Sequence, residues 1–241
     1  MQPQLSPFDG VLLIDKPAGM TSHDVVDCVR RHFGFKKVGH CGTLDPAATG
    51  LLILVLERAT KLQDRLMSDD KAYEGTMILG VSTDSQDADG AIIAEKPVPP
   101  LTAEDIEEVL AKFRGDIQQI PPMVSAVKHQ GTPLYKLARK GQTVEREPRL
   151  IHIYDLRVLS LELPRITFRV ACTKGTYVRT ICSDVGDLLG CGAHLHELRR
   201  TRSGKFDVTE AHQLKMVLTQ TREELKSLII PILKFVGSSA A

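Results

Sequence analysis

Residues 51–56 form an uninterrupted apolar run, Leu-Leu-Ile-Leu-Val-Leu, which directly follows a glycine-rich stretch. A short apolar run bounded in this way predicts a buried strand. Such a strand needs other elements packed around it, and 241 residues with 42% hydrophobic composition can supply that core without disulfides or metals. The run is far shorter than the ~20 residues that span a bilayer, so we expect no membrane insertion.

Strands and helices mix irregularly along the rest of the chain. Apolar alternation and short apolar runs predict further strands at residues 11–14, 73–81, 91–94, 150–161 and 166–171. Helices are predicted from a cap at Thr21 or Ser22 to Gly34, from a cap at Thr102 to Gly115, and over residues 176–189. A hairpin turn at residues 84–90 and the lack of a repeated strand-helix unit favour an α+β fold with a mixed sheet.

The cysteines and the N-terminus indicate the compartment. The five cysteines are scattered and contain no C-x-x-C pair, which argues against both a disulfide framework and a four-thiolate zinc site. Residues 1–10 have neither the basic region nor the apolar region of a secretory signal. We therefore expect a cytoplasmic protein.

Charge is unevenly distributed, although the net charge of +1 by itself argues against a nucleic-acid partner. Residues 61–116 carry a net −7, whereas residues 124–149 carry +4 and residues 165–205 carry +5. Two separate basic segments predict a surface for RNA or DNA. The alternative is a solvated basic face without a ligand. We expect the acidic hairpin and the acidic helix to face solvent.

One loop holds the candidate reactive group. Asp45 lies between glycines in residues 39–50 and precedes Pro46, which restricts it to extended backbone conformations. An ionised aspartate can act as a nucleophile or an electrostatic stabiliser, although an Asp-Pro turn without chemistry is the alternative. His40 in the same loop can be a general base, a metal ligand, a wedge for base stacking or an ordinary hydrogen-bonded residue.

Cofactor sites are not expected. Cys191, His194 and His196 resemble metal ligands, but a fourth ligand is missing, so we predict no metal site. Neither of the glycine motifs that bind nucleotide phosphates, G-x-x-x-x-G-K-[ST] and G-x-G-x-x-G, follows a predicted strand, so we predict no nucleotide cofactor.

Several motifs in collinear order between residues 9 and 205 resemble the TruB family of tRNA pseudouridine-55 synthases. The main blocks are residues 16–22 (Lys-Pro-Ala-Gly-Met-Thr-Ser), 39–50, 71–90 and 174–180 (Lys-Gly-Thr-Tyr-Val-Arg-Thr). Further matches are residues 119–122, 125–126, 128, 135, 138–139, 189–193 and 198–200.

The resemblance implies a pseudouridine synthase fold, in which a central mixed sheet is flanked by helices. It also implies isomerisation of a T-loop uridine of tRNA, at position 55, to pseudouridine. The base is detached from its ribose, turned and rejoined through carbon, so neither a cofactor nor a metal is required. The expected partner is the T-arm of tRNA. No protein partner is implied, and we expect a monomer.

By the same resemblance Asp45 is the catalytic aspartate, which attacks either the ribose or the base. Arg179 matches the arginine that pairs with it and keeps it ionised. Tyr73 matches the aromatic that stacks on the target base, and Tyr177 lies beside the site. His40 matches the residue that fills the stack when the uridine is flipped out. The residues expected to contact or support the bound RNA are His40, Tyr177, Lys16, Lys128, Arg139, Leu198, Arg199 and Arg200.

The resemblance implies three more specific roles. Arg199, Arg200 and Arg202 are candidates for phosphate contact, whereas Lys16 and Pro17 would pack beneath the catalytic loop. The basic residues 124–149 match a segment that holds the T-loop.

The predicted domain organisation is a catalytic domain over residues 9–205, with the RNA-holding insertion at about residues 120–149. Residues 206–241 would form a short helical tail instead of the RNA-binding PUA-type module that many bacterial members carry. We therefore expect weaker contact with the acceptor end of tRNA, while an isolated T-arm hairpin should remain a good substrate.

Two other functions are considered. A tRNA-binding folding chaperone would need the basic residues but not the set of Asp45, Tyr73 and Arg179. An RNA-guided synthase of the dyskerin-like branch is disfavoured because a lysine-rich tail and a C-terminal module are not seen.

Overall fold

The computed structural model describes residues 5–125 and 127–235. The strands are β1 (Gly10–Lys16), β2 (Val38–His40), β3 (Thr49–Leu56), β4 (Lys71–Leu79), β5 (Val81–Thr83), β6 (Ile92–Glu95), β7 (Gly115–Gln119), β8 (Lys128–His129), β9 (Thr132–Pro133), β10 (Arg149–Glu162), β11 (Arg165–Cys172), β12 (Ala193–Ser203), β13 (Phe206–Asp207), β14 (His212–Gln213) and β15 (Ile230–Pro231). The α-helices are α1 (Ser22–Phe33), α2 (Gln63–Met67), α3 (Ala103–Ala111), α4 (Leu134–Ala138), α5 (Val178–Leu188), α6 (Leu214–Val217) and α7 (Arg222–Leu225).

The chain divides into two compact units, with boundaries inside β4 and β12. Residues up to Lys71 and from Arg199 onward form the first unit, and residues 72–198 form the second.

The first unit is built around β1 and β3. These strands pair antiparallel, the end of β12 runs parallel to β3, and β14 runs parallel to β1. Strands β2, β13 and β15 add short antiparallel pairs. The sheet of this unit is therefore mixed.

Residues 51–56 are all apolar because they lie in β3, where successive side chains point to opposite faces and both faces are covered. Leu52, Leu54 and Leu56 pack in one cluster with the apolar side of α1. Leu51, Ile53 and Val55 pack in a separate cluster with two aromatic residues of the C-terminal segment, Phe206 and Phe235. Both faces of β3 are buried, as the sequence predicts.

Helix α1 forms where its terminal signals place it. Thr21 is the N-cap and forms a capping box with Asp24, and Gly34 ends the helix in the left-handed conformation. The predicted inward residues Val25, Val26, Val29 and Phe33 are all buried.

The second unit has a sheet in the order β12, β4, β11, β10, β7, with two separate hairpins, β5–β6 and β8–β9. Strand β10 pairs antiparallel with both β11 and β7. Helices α3 and α5 pack their buried residues into the same core as β10 and β11. Together the two units confirm the predicted α+β class with mixed strand pairing.

Several local predictions differ from the structure. Residues 38–40 were expected in a loop but form β2, and β7 and β12 were not predicted. The strand predicted over residues 73–81 breaks at Gly80, which has φ +87°. The chain then enters a separate hairpin, β5–β6, and glycine is required at the break because a Cβ there would lie 2.9 Å from the carbonyl oxygen of Lys96.

The predicted insertion and tail each have a defined form. Within residues 120–149, Gln130 and Gly131 both have positive φ and join β8 to β9, and α4 follows. The tail contains α6 and α7 and also supplies β13, β14 and β15, which the prediction of a helical tail omits. Residues 1–4, Ala126 and residues 236–241, which these predictions include, lie outside the described residues. None of the described helices is long and apolar enough to cross a membrane.

Candidate active site

The loop that carries Asp45 rests on a buried lysine of the first unit. Lys16 is fully buried at the end of β1. Its ammonium donates to the carbonyl oxygens of Pro17 at 2.8 Å, Met20 at 2.6 Å and Pro46 at 3.1 Å. One side chain thereby joins the segment before α1 to the residue that follows Asp45, which agrees with the predicted position beneath the Asp45 loop.

The electrostatics of Lys16 involve Asp45. Burial lowers the pKa of Lys16 to about 8, and the negative charge of Asp45 opposes this shift. The Asp45 side chain is half-buried. The ammonium therefore adds positive charge beneath the carboxylate as well as holding the loop.

Arg200 holds the same loop from the other end. It is only 1% exposed, and its guanidinium donates to the carbonyl oxygens of Leu51 at 2.7 Å and Gly42 at 3.1 Å. The Arg200 backbone also comes close to Gly50, where φ is +97° and a Cβ would lie 2.3 Å from the Arg200 carbonyl oxygen, so only glycine fits there. The predicted phosphate contact of Arg200 is therefore replaced by a structural role, because its side chain is buried and bonded to the backbone.

Ser22 fixes the middle of the loop. Its hydroxyl donates to the carbonyl of Leu44 at 3.1 Å and accepts from the Leu44 N–H at 2.8 Å. Asp45 itself closes a turn, since its carbonyl accepts from the Ala48 N–H at 3.1 Å. The backbone on both sides of Asp45 is thus hydrogen-bonded, which keeps the carboxylate in a defined position.

His40 lies in β2, opposite Leu54 of β3. Burial lowers its pKa, so the imidazole is neutral at pH 7. Its Nδ1 is buried and has no hydrogen-bond partner among the described residues. A neutral, half-buried ring suits stacking against a nucleobase better than proton transfer from a charged state.

Arg199 is half-exposed and forms a bidentate pair with Asp15. Its Nη1 and Nη2 donate to the two carboxylate oxygens at 2.9 and 2.8 Å. This pair neutralises part of the charge that was expected to contact phosphate. Arg202 is exposed on β12, so its charge faces solvent.

Arg179 is a buried cation in the first turn of α5, in the second unit. Its Nη1 donates to the Asp87 carboxylate at 3.0 Å and its Nη2 to the Val124 carbonyl at 2.6 Å. The ring of Tyr177 lies 5.9 Å from its guanidinium. The planar group is therefore held by an acidic residue, a carbonyl and an aromatic ring.

Asp87 was not predicted as a site residue. Its other carboxylate oxygen accepts from the Ser85 hydroxyl at 2.5 Å, and the Asp87 backbone bridges to Leu195. The expectation that the whole acidic hairpin faces solvent is wrong at this residue. Helix α3 does face solvent with its acidic residues, Glu104, Asp105, Glu107 and Glu108.

The remaining predicted residues also lie in the second unit. Tyr73 is half-buried on β4 and packs against the core, as does Leu198 on β12. Lys128 is exposed on β8, and Arg139 is exposed after α4 with its guanidinium 5.5 Å from the ring of Tyr135. The insertion thus presents cations to solvent.

The predicted residues are divided between the two units. The first holds Asp45, His40, Lys16, Arg199 and Arg200, and brings Lys16 and Arg200 to the Asp45 loop. The second holds Tyr73, Arg179, Tyr177, Lys128, Arg139 and Leu198, and brings Tyr177 to Arg179. Over residues 5–125 and 127–235, no three His, Cys, Asp or Glu side chains come together as a metal site.

Two family models match adjacent parts of the chain. Residues 30–178 match the N-terminal domain of TruB family pseudouridylate synthases. Residues 179–236 match the C-terminal domain of tRNA pseudouridylate synthase B.

Curated relatives are similar over most of the chain. A tRNA pseudouridine synthase B of Opitutus terrae is 52% identical over 93% of this chain and 93% of its own length. A tRNA pseudouridine synthase B of Syntrophotalea carbinolica is 50% identical over 93% of this chain and 74% of its own length.

Solved structures share the fold. A chain in the crystal structure of a Cbf5-Nop10-Gar1 complex matches with a TM-score of 0.76 and 32% identity, over 95% of this chain. A chain in an H/ACA RNP bound to a substrate RNA containing 2′-deoxyuridine matches with a TM-score of 0.72 and 29% identity. This chain spans 62% and 61% of the lengths of those two chains.

Proposed function

The chain belongs to the TruB family of pseudouridylate synthases and is a tRNA pseudouridine synthase, and we propose that its target is the T-loop uridine at position 55 of tRNA. The family model confirms the family resemblance that the sequence motifs predicted, and the matching solved structures confirm the pseudouridine synthase fold. The observation that carries the proposal is the Asp45 loop, a family motif to which Lys16 and Arg200 donate hydrogen bonds at Pro46 and Gly42.

The proposed reaction is an isomerisation. The bond between N1 of the uracil and C1′ of the ribose breaks, the base turns, and a bond forms between C5 and C1′. C5 then loses its proton to solvent and N1 gains one, so atoms and electrons balance without an oxidant or a reductant. The reaction requires a nucleophile or a group that stabilises charge, a fixed orientation of the base and exclusion of water.

Asp45 is the group we assign to the glycosidic bond, either as a nucleophile or as a stabiliser of the developing positive charge on the ribose. Its backbone is hydrogen-bonded on both sides, and the Lys16 ammonium lies below the loop. Such support keeps the carboxylate oriented before the uridine arrives, which reduces the reorganisation needed in the transition state.

Arg179, Tyr73 and Tyr177 are the second part of the proposed machinery. We assign the Arg179 guanidinium to pairing with the Asp45 carboxylate, and the Tyr73 ring to stacking on the target uracil. The support for Arg179 is its fixed orientation, since Asp87 and Val124 accept from separate nitrogens of its guanidinium.

We assign base flipping to His40 and T-arm contact to the insertion. Extruding a stacked uridine costs a few kcal/mol, which a side chain offsets by occupying the vacated position. The neutral ring of His40 suits that role. Exposed Lys128 and Arg139 supply charge for the T-arm phosphates. The described cysteines are all free thiols, which suits a cytoplasmic enzyme.

A folding chaperone without essential catalysis is the weaker alternative. It would require cations for tRNA but would not require a hydrogen-bonded Asp45 loop or a buried Arg179 with its acidic partner.

Mapping the product tests the target position. Unmodified tRNA is incubated with the protein, and pseudouridine is located by carbodiimide modification and primer extension. We expect a single new stop at the T-loop uridine, its loss when that uridine is replaced by cytidine, and comparable modification of an isolated T-arm hairpin. Pseudouridine in another arm, with the T-loop unmodified, would overturn the assignment.

A further inference from the structure

We propose that Gln119 is a positioning residue that links the RNA-contacting insertion to Arg179. The inference rests on the proposed function, in which the insertion contacts the T-arm and Arg179 takes part in the reaction.

Gln119 lies where the insertion leaves the sheet. It is the last residue of β7 and pairs with Arg149, the first residue of β10, so the chain leaves the sheet after Gln119 and rejoins it at the paired Arg149. Arg146 donates to the carbonyl oxygen of Pro121 at 3.1 Å and ties the two ends together. The orientation of the insertion is therefore set near Gln119.

The side chain of Gln119 turns away from the insertion to the start of α5. It is 3% exposed, and its Nε2 donates to the Tyr177 carbonyl at 3.0 Å while its Oε1 accepts from the Tyr177 N–H at 2.8 Å. Both polar atoms of the amide are used on one backbone residue. Few other side chains could satisfy a donor and an acceptor together at this spacing.

Tyr177 is the N-cap of α5 and gives the helix no side-chain cap. Ser, Thr, Asp and Asn are the usual residues at that position, where a side chain accepts from the first turn. Here the amide of Gln119 fixes the backbone of the cap residue from outside the helix. Arg179 follows two residues later, so the position of its backbone depends on this link.

A second link runs directly from the insertion to the guanidinium. The Val124 carbonyl, five residues after Gln119, accepts from Arg179 Nη2 at 2.6 Å. Displacement of residues 119–124, where the insertion begins, would therefore shift both the backbone and the side chain of Arg179. We infer that Gln119 keeps Arg179 aligned while RNA holds the insertion, and that its loss affects the chemical step more than tRNA binding.

The test compares Gln119→Leu with Gln118→Leu, a matched control at the exposed neighbouring glutamine. Single-turnover rates at saturating tRNA and the tRNA dissociation constant are measured separately. We expect Gln119→Leu to lower the rate at least tenfold and to change the dissociation constant less than threefold, while Gln118→Leu changes neither. An unchanged rate, or a loss confined to the dissociation constant, would overturn the inference.

The Gln119→Glu variant supplies a pH readout that a general loss of stability would not give. Its carboxylate can accept from the Tyr177 N–H but faces the Tyr177 carbonyl without a proton to donate. Protonation restores that donor, and burial favours the protonated form. We expect the ratio of wild-type to Gln119→Glu rate to shrink as the pH falls from 8 to 6. A constant ratio contradicts the proposed hydrogen bond.

Hydrogen exchange separates this inference from the proposed function. Amides at the start of α5 should exchange faster in Gln119→Leu than in wild type and Gln118→Leu, whether or not the T-loop is the target. If Gln119→Leu shows faster exchange but the wild-type protein leaves the T-loop of tRNA unmodified, only the target assignment is contradicted. If exchange in Gln119→Leu is unchanged, the link through Gln119 is contradicted.

Discussion

The guanidinium of Arg179 donates to the carboxylate of Asp87 at 3.0 Å, and the two side chains are 6% and 19% exposed. Helix α5 supplies the arginine, and the turn between β5 and β6 supplies the aspartate. A charged pair at this depth is screened little by water, so each partner depends on the other for compensation. Asp87 thereby joins the residues that hold the proposed catalytic arginine.

Replacing Asp87 by asparagine should reduce activity without abolishing folding. The Asp87→Asn side chain can still accept a hydrogen bond but lacks the charge that compensates Arg179. We expect at least a tenfold lower single-turnover rate, which corresponds to about 1.4 kcal/mol. Asp89→Asn, at an exposed acid in the same turn, is the control and should retain the wild-type rate. Equal rates in all three proteins would contradict the role of Asp87.

Substitutions of Arg200 and Arg202, both on β12, should have different effects on stability, because only Arg200 is proposed to have a structural role. Arg200→Met leaves two carbonyls without their donor, so the free energy of unfolding should fall by about 2 kcal/mol or more. Arg202→Met should leave that free energy within about 0.5 kcal/mol of wild type, because its side chain is exposed. Urea denaturation measures both, and a destabilised Arg202→Met with a stable Arg200→Met would reverse the assignment.

The cations of the insertion should set the salt dependence of tRNA binding. Each lysine or arginine that contacts a phosphate contributes about one unit to the slope of log K against log salt concentration. The Lys128→Gln, Arg139→Gln double variant should therefore lower the slope by about two units in the same assay. Lys112→Gln, Lys96→Gln removes the same charge outside the insertion and should leave the slope unchanged. A slope that responds equally to both pairs would indicate only a general effect of net charge.

The buried Lys16 should give a distinctive pH dependence of stability. Its pKa is about 8 in the folded protein and 10.5 ordinarily, so between these values the unfolded chain binds a proton that the folded chain does not. Stability contributed by this group therefore rises with pH across that window. The free energy of unfolding of wild type minus that of Lys16→Met should increase from pH 8 to pH 10.5, by on the order of 2 kcal/mol. A difference that falls with pH would contradict the burial of this ammonium.

Local signals in the sequence predict the parts of the fold that depend on local patterns. The apolar run of β3 and the caps of α1 are confirmed because burial on both faces and the capping box are encoded within a few residues. Strand β12 was missed because residues 197–202 are mostly polar or charged and show no apolar alternation. One of those charged residues, Arg200, is buried by contacts with the distant Leu51 and Gly42, which local sequence does not encode.

The candidate site shows the same division. Glycines and Pro46 around Asp45 identify its loop, and the resemblance to a family supplies the roles proposed for Arg179 and Tyr73. Asp87 lies in an acidic turn that is typical of a solvated surface, and its partner is 92 residues away. Gln119 was part of a matching motif but had no assigned role, because its function depends on an amide that reaches the backbone of Tyr177.

The most direct test of the account is release of label from tRNA that carries tritium at C5 of uridine. Formation of the bond between C5 and C1′ must expel that hydrogen, so release reports the proposed reaction itself. Wild type and Asp64→Asn, a control at an exposed acid of the first unit, should release one equivalent per T-loop uridine, and Asp45→Asn should release none above background. Undiminished release by Asp45→Asn would contradict the assignment of Asp45 to the reaction.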